Sequence, residues 1–212
     1  MCGRYYADPI DLEMRELAEE MNRSPLAERF RKKSGEPLSF AGDILPSSII
    51  PAIASDRAGR RKVFPMKWGF ATQMTSGSSR TGLLINARTE TAALKLMFRE
   101  SWAKHRCAIP ASLYYEWEHT DGQNGRRKIG RKYAIRPETE GPVWLAGLYR
   151  LAGGIPECVI LTRQADESIA WMHDRMPLML PADRVSEWIR PDADPAKTAG
   201  VCLTRVRWNE AG

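Results

Sequence analysis

Helical periodicity in this chain is concentrated in the N-terminal segment. Asp8-Pro9 has the form of an N-cap followed by a first-turn proline, and Ser24-Pro25 repeats that start signal. Gly35 can end the second of these helices. The apolar residues that recur at helical spacing after Pro9 are Ile10, Met14, Leu17 and Met21. The segment therefore predicts two consecutive helices, the first with one apolar face.

After residue 36 the pattern changes to short apolar runs rich in β-branched or aromatic residues, separated by turn residues. These runs are 49–54, 106–109, 113–118, 132–136, 143–150, 156–162 and 201–208. Helices are predicted at 89–104, 166–173 and 182–190, and the polar stretch 72–82 reads as a flexible loop. With no βαβ alternation and no glycine-rich phosphate loop, this order predicts an α+β fold. We expect a mainly antiparallel, curved or barrel-like β core with flanking helices.

Length and composition add limits to this picture. The chain has 212 residues, of which 43% are hydrophobic and 27% charged, which is ordinary for a globular protein. We expect a single domain over 1–212 and a monomer. No apolar run is long enough to span a membrane and the N-terminus lacks a signal-peptide pattern, so we expect a cytoplasmic protein without a membrane partner. Four scattered cysteines without a CxxC pair predict neither a disulfide framework nor a metal site, and nothing indicates a cofactor.

Positive charge is concentrated in two segments. The formal net charge is +6, but residues 56–67 alone carry five Lys or Arg against one Asp, and residues 119–136 carry six against one. The rest of the chain is therefore slightly acidic. Such localised charge favours a polyanionic partner, although two solvated basic loops would give the same count.

Cys2 is the most unusual placement of a reactive residue. A small residue at position 2 normally permits removal of the initiator methionine, and the mature chain would then begin with cysteine. One residue would then carry an α-amine and a thiol, both partly deprotonated near neutral pH. Such a pair can condense with an aldehyde to a Schiff base and close to a five-membered thiazolidine. A chance cysteine at a frayed terminus is the alternative.

Three further segments carry candidate chemistry. His173 in WMHDRMP ends a predicted helix and is an acid-base candidate, or else a helix C-terminal cap. Glu116 in LYYEWE lies on the strand face opposite Tyr115 and Trp117. If that face is interior, burial would raise the pKa of its carboxyl and make it a proton donor.

Asn86 and Arg88 stand in INARTET, between an apolar run and a helix. The amide of Asn86 can orient an amine or a carbonyl, and the guanidinium of Arg88 can bind a phosphate. The alternative is that the segment only caps the helix that follows.

Taken together and in order, MCGRY, INARTET, RCAIPASLYYEW and HDRMP resemble the SOS response-associated peptidase family, also called abasic-site processing proteins. The resemblance covers residues 2–177. It implies binding of single-stranded DNA and a covalent thiazolidine crosslink to abasic sites that shields the lesion. It also implies association with the nucleoid when the protein is bound to DNA.

The resemblance also implies roles for matching residues. Cys2 would be the nucleophile, Asn86 would position its amine and the sugar, Glu116 would shuttle protons, and His173 would assist opening of the abasic sugar. Arg4 and Arg88 would contact phosphates flanking the lesion.

Two regions depart from the family pattern. Trp68-Gly69 is followed by Phe70-Ala71-Thr72-Gln73, and the segment Gly42 to Ser47 reads GDILPS. Relatives use these regions to contact and wedge DNA. By resemblance to those relatives, Trp68 is expected to stack on a base and Pro46 to act as the wedge.

Two other functions stay open at this point. One is an N-terminal-cysteine hydrolase or amidotransferase, whose usual Asn-Gly-Asp element would have to be supplied by Asn124-Gly125, here followed by Arg126. The other is a non-covalent single-stranded DNA-binding module in which Cys2 is incidental. The second would bind DNA with strong salt dependence and without regard to the lesion.

Overall fold

A computed structural model describes residues 2–34, 38, 40–73, 81–121 and 127–212 of the chain. Met1, Gly35 and Asn124-Gly125 lie outside these residues, as does most of the predicted 72–82 loop. The strands are Tyr5–Ala7 (β1), Gly42–Ile44 (β2), Ile49–Ser55 (β3), Arg61–Trp68 (β4), Phe70–Gln73 (β5), Thr81–Leu84 (β6), Asn86–Arg88 (β7), Arg106–Ala111 (β8), Leu113–Asp121 (β9), Arg127–Pro137 (β10), Val143–Ala152 (β11), Ile155–Gln164 (β12), Arg175–Pro177 (β13), Met179–Leu180 (β14) and Val206–Ala211 (β15). The helices are Leu12–Arg23 (α1), Pro25–Ser34 (α2), Thr89–Ala92 (α3), Leu96–Lys104 (α4), Val185–Trp188 (α5) and Pro195–Ala199 (α6), with a 3₁₀ turn at Ala182–Arg184.

Five strands close on themselves to form a barrel. Neighbours pair in the order β12, β4, β3, β8 and β11, and β11 pairs back onto β12. All contacts around this ring are antiparallel except the short parallel one between β12 and β4, at Glu157–Lys67 and Cys158–Trp68. Closure leaves no free edge around the ring. The predicted α+β fold with a mainly antiparallel, barrel-like core is confirmed.

A second sheet, in the order β15, β10, β9, β1 and β2, lies beside the barrel. On β1 and β9, buried residues alternate with partly exposed ones, as expected for a sheet packed on one side, whereas the outer strand β15 is mostly exposed. On β9, Tyr114 and Glu116 are buried while Tyr115 and Trp117 are half-buried. The buried face joins the barrel in one apolar core, where the Tyr5 and Trp68 rings lie 5.3 Å apart.

The first helix begins later than the sequence predicts. The Asp8 carboxylate accepts the Ile10 N–H at 2.9 Å, forming a turn that delays the helix, and Asp11 becomes the N-cap by accepting from Met14 N at 3.2 Å. Ile10 is consequently outside the helix and 85% exposed. The buried residues of α1 are Met14, Leu17 and Met21.

The predicted helix at 166–173 is wrong, because this segment forms successive turns instead. The Asp166 carboxylate accepts both the backbone N–H (3.1 Å) and the hydroxyl (2.7 Å) of Ser168, which favours a turn over a helix. The Ser168 carbonyl then accepts the Trp171 indole N–H at 3.0 Å, where a helix would offer it to a backbone N–H. The predicted 89–104 helix likewise divides into α3 and α4.

Candidate active site

Cys2 is fully buried just before β1. Its carbonyl accepts a hydrogen bond of 2.9 Å from the Asn86 side-chain amide, and its thiol faces the Arg4 carbonyl at 3.9 Å. Two residues 84 positions apart are therefore joined directly. The segment that leads into β1 therefore meets the short strand β7 at this bond.

Asn86 owes its position to β7, which runs parallel to β12 with Asn86 opposite Ile160. The strand is anchored at its end by the Thr89 hydroxyl, which donates to the Thr162 carbonyl at 2.9 Å. The Asn86 Oδ1 atom is buried and has no hydrogen-bond partner within the described part of the chain. A buried acceptor of this kind is suited to receive an N–H or O–H that arrives with a ligand.

Glu116 is only 4% exposed, on the buried face of β9. Burial raises the pKa of its carboxyl, which favours the protonated form that can donate a proton. Burial also raises the pKa of the Cys2 thiol, and the Glu116 charge adds to that effect. The Arg4 carbonyl that the Cys2 thiol faces also accepts the Tyr115 N–H at 2.9 Å, which brings the Glu116 segment of β9 next to Cys2.

Tyr114 belongs to the same cluster, although it was not among the sequence candidates. Its phenol is buried and its hydroxyl has no hydrogen-bond partner in the described residues. Burial, and then the charges of Cys2 and Glu116, raise its pKa. The sequence could have indicated Tyr114, because residues 114 and 116 of a strand share a face.

His173 lies at the end of the turn segment, with its side chain about 10% exposed. Its Nδ1 atom accepts the Arg175 N–H at 2.9 Å and lies 2.8 Å from the Asp174 carboxylate. Only the neutral ring can accept from Arg175, while only a ring protonated at Nδ1 can donate to Asp174. The two contacts are therefore alternatives, and the presence or absence of a hydrogen on Nδ1 decides which of them forms.

Arg175, two residues after His173, braces this side of the site. It forms a bidentate ion pair with Glu90 at 2.7 and 2.8 Å and also donates to the Thr162 carbonyl at 2.6 Å. The hydrogen bond from Arg175 lowers the pKa of Glu90. Because its partners are 85 and 13 residues distant, sequence spacing gave no indication of this brace.

The two arginines expected to contact phosphates differ in their surroundings. Arg88 is exposed at the junction of β7 and α3. Arg4 is paired with Asp43 at 3.2 Å, and its guanidinium lies 5.5 Å from the centre of the Trp117 ring. Its charge is thus partly neutralised.

Pro46 and Trp68 differ in exposure: Pro46 is partly exposed and Trp68 is buried. Pro46 occupies an accessible turn in which Ser48 N donates to Leu45 O at 3.2 Å and Ser47 adopts a left-handed φ of 75°. Trp68 is fully buried, and its indole N–H donates to the Ile85 carbonyl at 3.0 Å. The prediction that Trp68 stacks on a base is therefore wrong, because the ring is part of the core.

The two basic segments occupy different places. In residues 56–67, Arg57 lies in the turn between β3 and β4, at the opposite end of β4 from Trp68, and Arg60 is paired with Asp56 at 2.9 Å. Arg61 and Trp68 are the two ends of the eight-residue strand β4 and lie about 23 Å apart. The described part of the second segment covers the end of β9 and most of β10, two antiparallel strands, and β9 also carries Glu116.

Nothing in the described ranges groups three metal-ligating side chains. Across the same residues, no helix combines the length and apolar character needed to cross a membrane.

Comparison with known proteins identifies the family of the chain. The family model described as SOS response associated peptidase (SRAP) matches residues 1–210. The chain is 32% identical over 198 residues to the abasic site processing protein YoaM of Bacillus subtilis, covering 90% of this chain and 80% of that protein. It is 28% identical over 144 residues to the abasic site processing protein YedK of Escherichia coli, covering 66% and 60%.

Solved structures share the fold. A phage-related protein of Bordetella bronchiseptica superimposes with a TM-score of 0.67 at 20% identity, over 99% of this chain and 94% of that one. A protein from Bacteroides thetaiotaomicron gives a TM-score of 0.66 at 19% identity, over 100% and 92%.

Proposed function

Because the chain belongs to the SOS response-associated peptidase family, we propose that it processes abasic sites in single-stranded DNA by forming a covalent crosslink through Cys2. The observation that carries this proposal is the 2.9 Å hydrogen bond from the Asn86 amide to the Cys2 carbonyl, beside the buried Glu116. That bond fixes the backbone of the one residue that can supply both an amine and a thiol.

The chemistry begins once Met1 is removed, and in this proposal any peptidase activity is limited to that step. The Cys2 α-amine attacks the C1′ aldehyde of the ring-opened abasic sugar, and loss of one water gives a Schiff base. The thiol then adds to the C=N bond of the protonated Schiff base: sulfur joins the carbon, the nitrogen keeps its hydrogen and becomes neutral, and the thiol proton leaves to a base. The product is a thiazolidine, and no oxidant or reductant is needed.

The surrounding residues match the demands of these steps. Glu116, whose pKa is raised by burial, donates a proton to the departing water and then accepts the thiol proton during ring closure. The free Asn86 Oδ1 accepts from the α-amine and keeps it directed at the sugar. His173 exchanges the proton required to open the sugar ring.

The test compares Cys2→Ala with the parent on single-stranded DNA carrying one abasic site. Intact mass first establishes that Met1 is absent from each protein, and denaturing electrophoresis then measures adducts. The parent should give a heat-stable adduct. Cys2→Ala should give none, but its α-amine should still form a Schiff base and cleave the strand.

Cys202→Ala is the matched control, because Cys202 is a half-buried thiol without an α-amine. It should crosslink as well as the parent. Equal adduct yield from Cys2→Ala would refute the thiazolidine. DNA binding without any adduct from processed parent protein would favour the non-covalent module instead.

A further inference from the structure

Three aromatic rings pack edge to face in a cluster beside the candidate active site. Tyr133 of β10 lies 5.2 Å from Trp171 at 85° and 5.4 Å from Trp208 at 89°, while the two indoles lie 5.3 Å apart at 67°. Tyr133 is buried, but Trp171 and Trp208 are 46% and 42% exposed. We refer to these three residues as the aromatic notch, in which Tyr133 is the buried ring and the two indoles are the exposed rings.

The notch is continuous with the candidate active site. Tyr133 is the direct cross-strand partner of Glu116, so the two side chains share the buried face of the sheet, about 5 Å apart at the backbone. Trp171 precedes His173 by two residues in the same turn segment. The two indoles therefore lie close to both Glu116 and His173.

The two exposed indoles present apolar ring surface to solvent. The Trp171 indole N–H is already used by the Ser168 carbonyl at 3.0 Å, so this ring presents an apolar π face. The nearby carboxylates of Asp174 and Glu210 are 73% and 56% exposed, which disfavours a phosphate here. A flat, uncharged heteroaromatic ring can stack on the exposed face of an indole and is not repelled by these carboxylates.

We propose that the aromatic notch stacks one unpaired base of the nucleotide next to the abasic site. This inference rests on the proposed function, since only single-stranded DNA brings an unpaired base to this place. An abasic nucleotide has no base of its own to bind, so stacking of its neighbour sets the register of the sugar relative to Cys2.

The experiment measures binding to oligonucleotides that carry a tetrahydrofuran abasic analogue, which cannot form a Schiff base. Three DNAs are compared by fluorescence anisotropy: one with both neighbouring bases, one lacking the 5′ neighbour and one lacking the 3′ neighbour. Trp171→Ala and Trp208→Ala should bind the first DNA roughly 5- to 100-fold more weakly than the parent. On the DNA that lacks the stacked base, parent and variants should bind alike.

Two controls separate stacking from a general defect. Trp171→Phe keeps an aromatic ring and should recover most of the lost affinity. Leu151→Ala removes an apolar side chain that is 69% exposed at the end of β11, and it should bind all three DNAs as the parent does. Thermal melting of every variant establishes that each is folded.

The outcomes distinguish this inference from the proposed function. No loss of affinity, or an equal loss on all three DNAs, would overturn stacking even if the parent crosslinks to natural abasic sites. Base-dependent binding by a parent that never crosslinks would support the notch and refute the covalent function.

Discussion

At the scale of single residues, burial determines which protons are available around Cys2. Glu116, Tyr114 and the Cys2 thiol are all withdrawn from water, and burial raises the pKa of each. The site therefore favours neutral groups that donate protons over charged groups that attract phosphates. This suits condensation of an amine with an aldehyde, because a water molecule must leave.

The same burial makes a prediction about stability. The folded state holds the Glu116 proton to higher pH than the unfolded chain does, so this residue costs stability progressively as pH rises above the ordinary glutamate pKa. Glu116→Gln removes that cost. The melting temperature of Glu116→Gln relative to the parent should therefore increase between pH 4 and pH 8.

Glu118→Gln, on the same strand, is the matched control for this measurement. The Glu118 carboxylate lies 3.6 Å from Arg131 and is more exposed, so its replacement should give no such gain. A constant difference between Glu116→Gln and the parent at all pH values would contradict a buried, proton-holding carboxyl.

Sequence alone was informative about some of these residues and misleading about others. Strand alternation placed Glu116 opposite Tyr115 and Trp117, and the structure buries it accordingly. Trp68 was misjudged because exposure of a tryptophan depends on what packs over it, and Tyr5 does so from another sheet. The Arg175–Glu90 pair joins segments 85 residues apart, a distance that local pattern cannot bridge.

At the scale of elements, a buried arginine joins the helices to the barrel. Arg106, at the start of β8, is 1% exposed and donates only to backbone carbonyls. Its partners are Trp102 at 2.8 Å, Ala103 at 2.6 Å, Trp188 at 2.8 Å, Ala193 at 3.0 Å and Arg190. The guanidinium thus provides hydrogen bonds both to carbonyls at the end of α4 and to carbonyls in the segment from α5 to α6.

Arg106→Met should therefore be strongly destabilising. Methionine keeps much of the apolar stem but leaves buried carbonyls without donors, a change expected to cost about 3–5 kcal/mol. Urea unfolding measures the loss. Arg99→Met, an exposed position on α4, should change stability by less than about 0.5 kcal/mol. Similar losses for the two variants would show that the carbonyl contacts contribute little.

Elements were predictable where one pattern dominated the local sequence. The strands β3, β8, β9, β11 and β12 emerged from their apolar runs, whereas β4 was obscured by its lysines, its arginine and Pro65. Residues 166–173 have a helical apolar pattern, but Asp166 and Ser168 divert the backbone bonds into turns. Strand pairing, including the closure of β12 on β4, could not be predicted from local sequence, because it depends on how the whole chain folds.

At the scale of the whole molecule, the distribution of charge matters more than its sum. The net charge of +6 includes a basic segment whose exposed Arg57 lies at the far end of β4, remote from the site. Arg88 is exposed two residues from Asn86. If DNA lies across the site as proposed, these two cations have unequal access to its phosphates.

Salt dependence of DNA binding tests this inequality. Each phosphate neutralised on single-stranded DNA contributes roughly 0.7 to the slope of log affinity against log salt. Arg88→Gln should reduce the slope by about that amount and weaken binding, whereas Arg57→Gln should leave both unchanged. The measurement is anisotropy with the tetrahydrofuran oligonucleotide between about 50 and 200 mM salt. An equal reduction by Arg57→Gln would mean that the DNA path extends along β4 to the β3–β4 turn, and so over a much longer surface than the site requires.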